Sequence, residues 1–255
     1  MTAETGSSKS SSPSSGSRLL GKVAVVTGGS RGIGLAIARA LAAEACDVII
    51  SGRKPPALEQ AVAAIGRGGG SGRIFGVECD VRDNEAVAQL FATAMKEFGR
   101  LDILVNNAGI SQSAVPVHET NVELWRDIIE TNLTGTFLCT RAAVPLMKPG
   151  ATILNIISVA ARDSFAGYAP YNASKAGALS LTRTLREELK PTGIRVTAVL
   201  PGATDTEIWQ QVMPDAPREK MIEAESVAKF VLEAVVLSPR ANLTELQLDP
   251  ATGAM

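Results

Sequence analysis

Residues 22–43 read KVAVVTGGSRGIGLAIARALAA, and the order of residue types in this stretch decides the fold. Val23, Ala24, Val25 and Val26 form a short apolar run suited to a strand buried on both faces. Thr27, Gly28 and Gly29 break that run, and Ile33, Leu35, Ile37, Ala38 and Leu41 then recur at helical spacing. The unit is strand, glycine turn, helix. Gly28 lets the chain turn sharply, Gly32 lets backbone approach a ligand, and Gly34 lets helix and strand pack closely. A helix starting there presents unpaired N–H groups and the positive end of its dipole, which suits a pyrophosphate.

The same alternation continues down the chain. Asp47–Ser51, Ile74–Cys79, Leu101–Val105, Ala151–Ile157, Ile194–Leu200 and Leu243–Leu248 read as further strands. Helical patterns lie between them at 55–65, 83–98, 122–147, 168–190 and 226–237. The expected architecture is one doubly wound α/β domain over 18–255, with about seven parallel strands and helices on both faces. With 255 residues and 45% hydrophobic content, the chain can bury a core of that size. Residues 1–17 are Ser-rich and nearly devoid of apolar side chains, so a solvated tail is expected there.

Composition narrows the function. A net charge of −1 gives no basic footprint for nucleic acid or an anionic membrane. No apolar run reaches the ~20 residues of a membrane-spanning helix. Cys46, Cys79 and Cys139 are widely spaced in apolar surroundings, as reduced core cysteines are, and one histidine without a close Cys pair argues against a metal site. These features imply a reduced, cytoplasmic protein. That histidine, His118, has no neighbour to orient it as a base and reads as a surface residue.

The second strand ends in Gly52, Arg53 and Lys54, without the acid that would bind a ribose 2′-hydroxyl. Arg31 and Arg53 suit a 2′-phosphate instead, which points to NADP(H) rather than NAD(H). NNAG (106–109) follows the fourth strand directly, and Ser158 follows the fifth. Thirteen residues on, YNASK places Tyr171 and Lys175 at i and i+4, one face of a helix. Tyr168 has Asn172 at i+4 and so lacks a cation.

TGGSRGIG, NNAG, Ser158 and YNASK together resemble the short-chain dehydrogenase/reductase family over about residues 20–250. The ending LQLDPATGAM lacks paired glycines and looks more like the family's carbonyl or 3-hydroxy-acid reductases, beside its 3-oxoacyl reductases. The resemblance implies a cofactor site built from Gly28, Ser30, Arg31, Gly32, Ile33, Gly34, Arg53, Asp80, Val81, Asn107, Ala108 and Gly109. Asp80 would bond near the adenine and Val81 pack on its ring. Pro201, Gly202, Thr204 and Thr206 would lie beneath the nicotinamide, Thr204 standing where the family more often has an apolar residue. Asn132 would hold a water in a proton relay.

Reducing a ketone needs hydride at carbon and a proton at oxygen. Tyr171 is the expected acid/base, its pKa lowered by Lys175, which would also bind the cofactor ribose, and by the oxidised, positively charged nicotinamide. Ser158 would orient the carbonyl. The expected reaction is NADP(H)-dependent interconversion of a small-molecule carbonyl compound and its secondary alcohol, by a homotetramer or dimer paired through the two long helices. The competing reading is a nucleotide sensor or scaffold that binds NADP(H) without turnover, for which a catalytic phenol would be superfluous. Residues 208–221, proline-interrupted and partly apolar, read as a lid over the substrate.

Overall fold

The computed structural model describes residues 18–238, 240–251 and 253; the expected tail at 1–17 lies outside them. Seven strands form one parallel sheet: β1 (Val23–Thr27), β2 (Asp47–Gly52), β3 (Ile74–Glu78), β4 (Leu101–Asn106), β5 (Met147–Ile156), β6 (Arg195–Pro201) and a last strand, Glu245–Leu248. Their order is β3-β2-β1-β4-β5-β6-last, so the winding reverses between β1 and β4. Such a reversal opens a crevice at the carboxyl ends of the strands.

Alternate strand residues feed two cores, as a sheet covered on both faces requires. One face joins Ala24, Val26, Val48, Ile50 and Val105 to α1 (Gly32–Ala43), α2 (Pro55–Gly66) and a C-terminal helix, Ala224–Val236. The other joins Val25, Ile49, Leu104, Ile153 and Val196 to Leu90 and Phe91 of α3 (Asn84–Phe98) and to Cys139 of a later helix. Asp83 caps α3 by accepting from the Glu85 and Ala86 N–H groups, and Gly99 ends it in the left-handed conformation. All three cysteines are buried and free, and burial pushes each thiol pKa up.

Two expectations need correction. The helix expected over 122–147 is α4 (Val122–Ile129), a π turn (Glu130–Thr134) and α5 (Gly135–Ala143), and Met147 already belongs to β5. The extra residue per turn fits Asn132, whose side chain bonds outward to another loop. Pro145 closes the segment in a 3₁₀ turn (Val144–Leu146), since its ring cannot sit inside a continuing helix. The segment after α6 (Ala169–Leu189) and β6 also contains a second sheet absent from the sequence reading. Thr204–Asp205 (β7) and Ile222–Glu223 (β8) pair in parallel and bracket the lid, which carries only one short α-helix, α7 (Trp209–Val212). The C-terminal helix is therefore α8 and the last strand β9.

Helix α1 lies unusually close to the turn before it. A Cβ on Gly34 would sit 2.5 Å from the Gly28 carbonyl oxygen and 2.4 Å from Asn107 Nδ2. Gly34→Ala should therefore destabilise the fold by about 1–3 kcal/mol, because backbone rather than a flexible side chain must yield. The denaturation midpoint would report it; an unchanged midpoint would show that α1 can retreat freely.

Candidate active site

A cleft of about 780 Å³ runs along the carboxyl ends of the strands. One half is built from the turn after β1. Arg31 precedes α1 without a side-chain cap, so the first-turn N–H groups stay available to an anion. Gly28 and Gly32 have φ of +63° and +54°, a conformation that favours glycine. Space is equally decisive: a Cβ on Gly28 would meet Ala108 Cα at 2.9 Å, and one on Gly32 would meet Thr206 Cγ2 at 3.1 Å.

Asn107 ties this half together. Its Nδ2 donates to the Thr27 and Gly28 carbonyls at 3.0 and 3.1 Å, while Thr27 Oγ1 accepts from the Asn107 and Ala108 N–H groups. Asn106 Nδ2 donates to Asn155 Oδ1 at 2.8 Å, which joins β4 to β5, and Asn155 donates to Thr182 of α6. Ser30, Arg31, Ile33, Arg53, Asp80, Val81, Ala108 and Gly109 line the cleft, as do Pro201, Gly202, Thr204 and Thr206. Gly34 does not; it is buried in the packing of α1, which corrects its assignment as a contact. Asp80 pairs with Arg82 at 2.6 Å, and that guanidinium, helped by Arg53, holds its carboxyl below the usual range.

The other half carries Ser158, Tyr171 and Lys175. Ser158 leaves the end of β5, and its Oγ accepts from the Ala160 N–H at 3.1 Å. Tyr171 and Lys175 rise from the first turns of α6, whose start Pro170 favours. Lys175 is 6% exposed, its Nζ 5.5 Å from the Tyr171 ring centroid and donating to the Ile156 carbonyl at 3.3 Å. Burial brings its pKa down to about 8. In the chain by itself burial raises the Tyr171 phenol, and the Ser158 hydroxyl opposes that only in part.

Asn132 lies behind these residues, buried and off the cleft surface. Its Nδ2 donates to the Ile110 carbonyl and to Ser174 Oγ, and its Oδ1 accepts from the Ile110 N–H. Ser174 Oγ donates on to the Tyr171 carbonyl. Both amide hydrogens are thus used within the protein, and a water would have to meet the remaining Oδ1 lone pair. His118 is exposed beside Glu119, away from the cleft.

Sequence reasoning missed Glu207, Phe165, Asp249 and Pro250 on the cleft wall, and it dismissed Tyr168, which also lines it. Their positions depend on loops that cross the cleft, and no periodicity signals that. Trp209 is fixed by its Nε1, which donates to the Thr204 carbonyl at 2.8 Å. No helix among the described residues is long and apolar enough to cross a membrane, and no group of three or more metal-binding side chains occurs among them.

A parallel sheet with this winding, a glycine turn at the reversal and a Ser–Tyr–Lys cluster across from it define a dinucleotide-binding α/β oxidoreductase. Residues 22–217 match the family model described as short chain dehydrogenase, and the chain belongs to that family. It is 40% identical over 239 residues to a 3-oxoacyl-[acyl-carrier-protein] reductase from Synechocystis, covering 91% of this chain and 92% of that protein. It is 36% identical to a 3beta-hydroxysteroid dehydrogenase from Mediterraneibacter gnavus, covering 91% and 83%. A short chain dehydrogenase from Burkholderia cenocepacia, solved in complex with NADP, superposes with a TM-score of 0.84 at 34% identity, covering 91% of this chain and 98% of that one.

The buried ammonium makes a stability prediction. Lys175 binds its proton less tightly in the folded chain, near pH 8, than in the unfolded chain, so stability rises with pH between about 8 and its ordinary value of 10.5. Below that window the buried charge costs the fold on the order of 3 kcal/mol. Lys175→Met should therefore raise the melting temperature at pH 7, with the gain fading toward pH 10. A gain that persists undiminished at pH 10 would mean the charge is not its source.

Proposed function

We propose that the protein interconverts a ketone and a secondary alcohol with NADP(H), using Ser158, Tyr171 and Lys175. The observation that carries this reading is that Ser158, Tyr171 and a buried Lys175, its Nζ 5.5 Å from the Tyr171 ring centroid, share one cleft with an uncapped helix N-terminus. The chain's residues fit the cofactor: the α1 N-terminus suits the pyrophosphate, Asp80 and Val81 the adenosine end, and Arg31 and Arg53 a 2′-phosphate. When bound, the nicotinamide supplies or accepts the hydride. Pro201, Gly202, Thr204 and Thr206 would hold its carboxamide side, and Lys175 the ribose next to it.

In the reducing direction the Ser158 hydroxyl donates to the substrate carbonyl oxygen and holds it by the phenol. Tyr171 then gives that oxygen its proton, and in the oxidising direction takes it back. The Lys175 ammonium makes phenolate less costly at that step, and Asn132 fixes both the Ile110 loop and, through Ser174, the backbone of Tyr171. Trp125 and Phe137, 41% and 46% exposed along α4 and α5, support pairing with further copies of the chain, a tetramer or dimer. The composition and the short chain dehydrogenase relatives suit a cytoplasmic setting.

Tyr171→Phe should lower turnover about 10²–10⁴-fold while leaving NADPH affinity nearly unchanged. Tight NADPH binding by wild type without turnover of any carbonyl compound would favour a nucleotide sensor instead. The raised phenol pKa adds a pH sign. Ketone reduction uses the protonated phenol, so kcat/KM should hold through neutral pH and fall only in alkali, whereas alcohol oxidation should climb with pH; parallel profiles would refute the assignment.

Arg53→Asp should shift cofactor preference toward NADH, because a carboxylate would then face the 2′-phosphate. A wild type that prefers NADH in kcat/KM would remove the basis for NADP(H). Light scattering tests assembly: a monomer at micromolar concentration would count against pairing through the α4–α5 segment and α6.

A further inference from the structure

The charges along the cleft are segregated, and the segregation bears on the substrate. Three cations, Arg31, Arg53 and Lys54, line the half formed by the turn after β1 and the end of β2. β2 lies three strand positions from β5, which delivers Ser158. At the usual strand spacing that is about 14 Å. In the substrate half, Lys175 is the one cationic side chain lining the cleft among the described residues. Its ammonium already donates to the Ile156 carbonyl beside the Tyr171 ring. Arg218, next to the lid residue Pro217, is paired with Asp205 instead.

The other ionised groups on this side are acids. Asp249 stands at the rim and accepts from Gln247 Nε2 at 2.9 Å. Glu207 lies at the junction of the halves, its Oε2 3.7 Å from where a Gly32 Cβ would be. The remaining wall is uncharged and largely apolar: Phe165, Tyr168, Ile208, Trp209, Val212 and Met213, with Ser111 and Gln211 beside them. A substrate carboxylate entering here would lose hydration without gaining a cation, and would meet two like charges at the edges. A neutral ester, thioester or plain ketone meets neither cost, and its apolar substituent is covered by the lid.

We propose that this site takes neutral ketones bearing an apolar substituent and discriminates against ketones that carry a free carboxylate. The proposal rests on the oxidoreductase reading above and narrows its substrate class. Free 3-oxo and other keto acids are excluded as efficient substrates, whereas their esters and thioesters are accepted.

The test compares matched pairs in which the charge is remote from the reacting carbonyl: 4-acetylbenzoate with its methyl ester, and 5-oxohexanoate with its methyl ester. NADPH oxidation at pH 7 should give a kcat/KM about 30-fold or more higher for the ester in whichever pair is turned over. A keto acid reduced as well as its ester overturns the proposal while leaving the oxidoreductase reading intact. No turnover of any member, with NADPH bound by fluorescence titration, overturns both. Met213→Lys supplies the missing cation near the lid and should narrow the ester-to-acid ratio about five- to tenfold. A ratio that Met213→Lys leaves unmoved would show that charge is not what discriminates, and would also sink the proposal.

Discussion

The stitch between β1 and β4 is the constraint on which the rest depends. These strands are neighbours in space although two strand–helix units separate them in the chain, and their carboxyl ends must stay in register where the winding reverses. Asn107 and Thr27 hold that register with four hydrogen bonds between the loop after β4 and the glycine turn. The bonded groups are buried or half-buried, so losing one partner would strand another away from water. The close approach they impose is also what excludes a Cβ at Gly28 and Gly34. One set of contacts thus shapes the anion-facing turn, seats α1 and sets the crevice between the two halves of the sheet.

In the half that holds Ser158, Tyr171 and Lys175, a buried charge costs the fold stability. A lysine that is 6% exposed and bonds a carbonyl rather than a carboxylate would be cheaper as a methionine. The phenol beside it, by contrast, is held protonated by burial. In the reading proposed above it serves as a proton donor, and the charge that releases the proton comes in part from what binds in the cleft. The polar chain from Asn132 through Ser174 to the Tyr171 backbone keeps that donor in place, and the π turn is the local distortion that lets Asn132 reach the Ile110 loop.

The lid owes its position to backbone pairing rather than to its own helix. α7 is four residues long, too short to be stable by itself. β7 and β8 pair at its two ends, and the Trp209 indole donates back to Thr204. Ser113 Oγ adds a bond to the Gln211 carbonyl across the cleft mouth at 3.2 Å. Together these hold the lid against the cleft that Tyr171 lines.

The sequence by itself determined the alternation of strands and helices, because a sheet covered on both faces needs continuous apolar runs and covering helices need a 3.6-residue stripe. It also determined the glycine turn and the Tyr171–Lys175 pair, since both are local: a φ that only glycine tolerates, and a four-residue spacing on one helix face. Tertiary structure decided the rest. How far the Tyr171 phenol and the Lys175 ammonium depart from their ordinary pKa values depends on how deeply the fold buries each of them. Whether Gly34 touches the cleft depends on how α1 seats against Asn107. Phe165, Tyr168, Glu207 and Asp249 share one wall only because loops from distant parts of the chain close over the same strand ends. Nothing in a one-dimensional pattern encodes such a meeting, since its energy comes from contacts between segments that are neighbours only after folding.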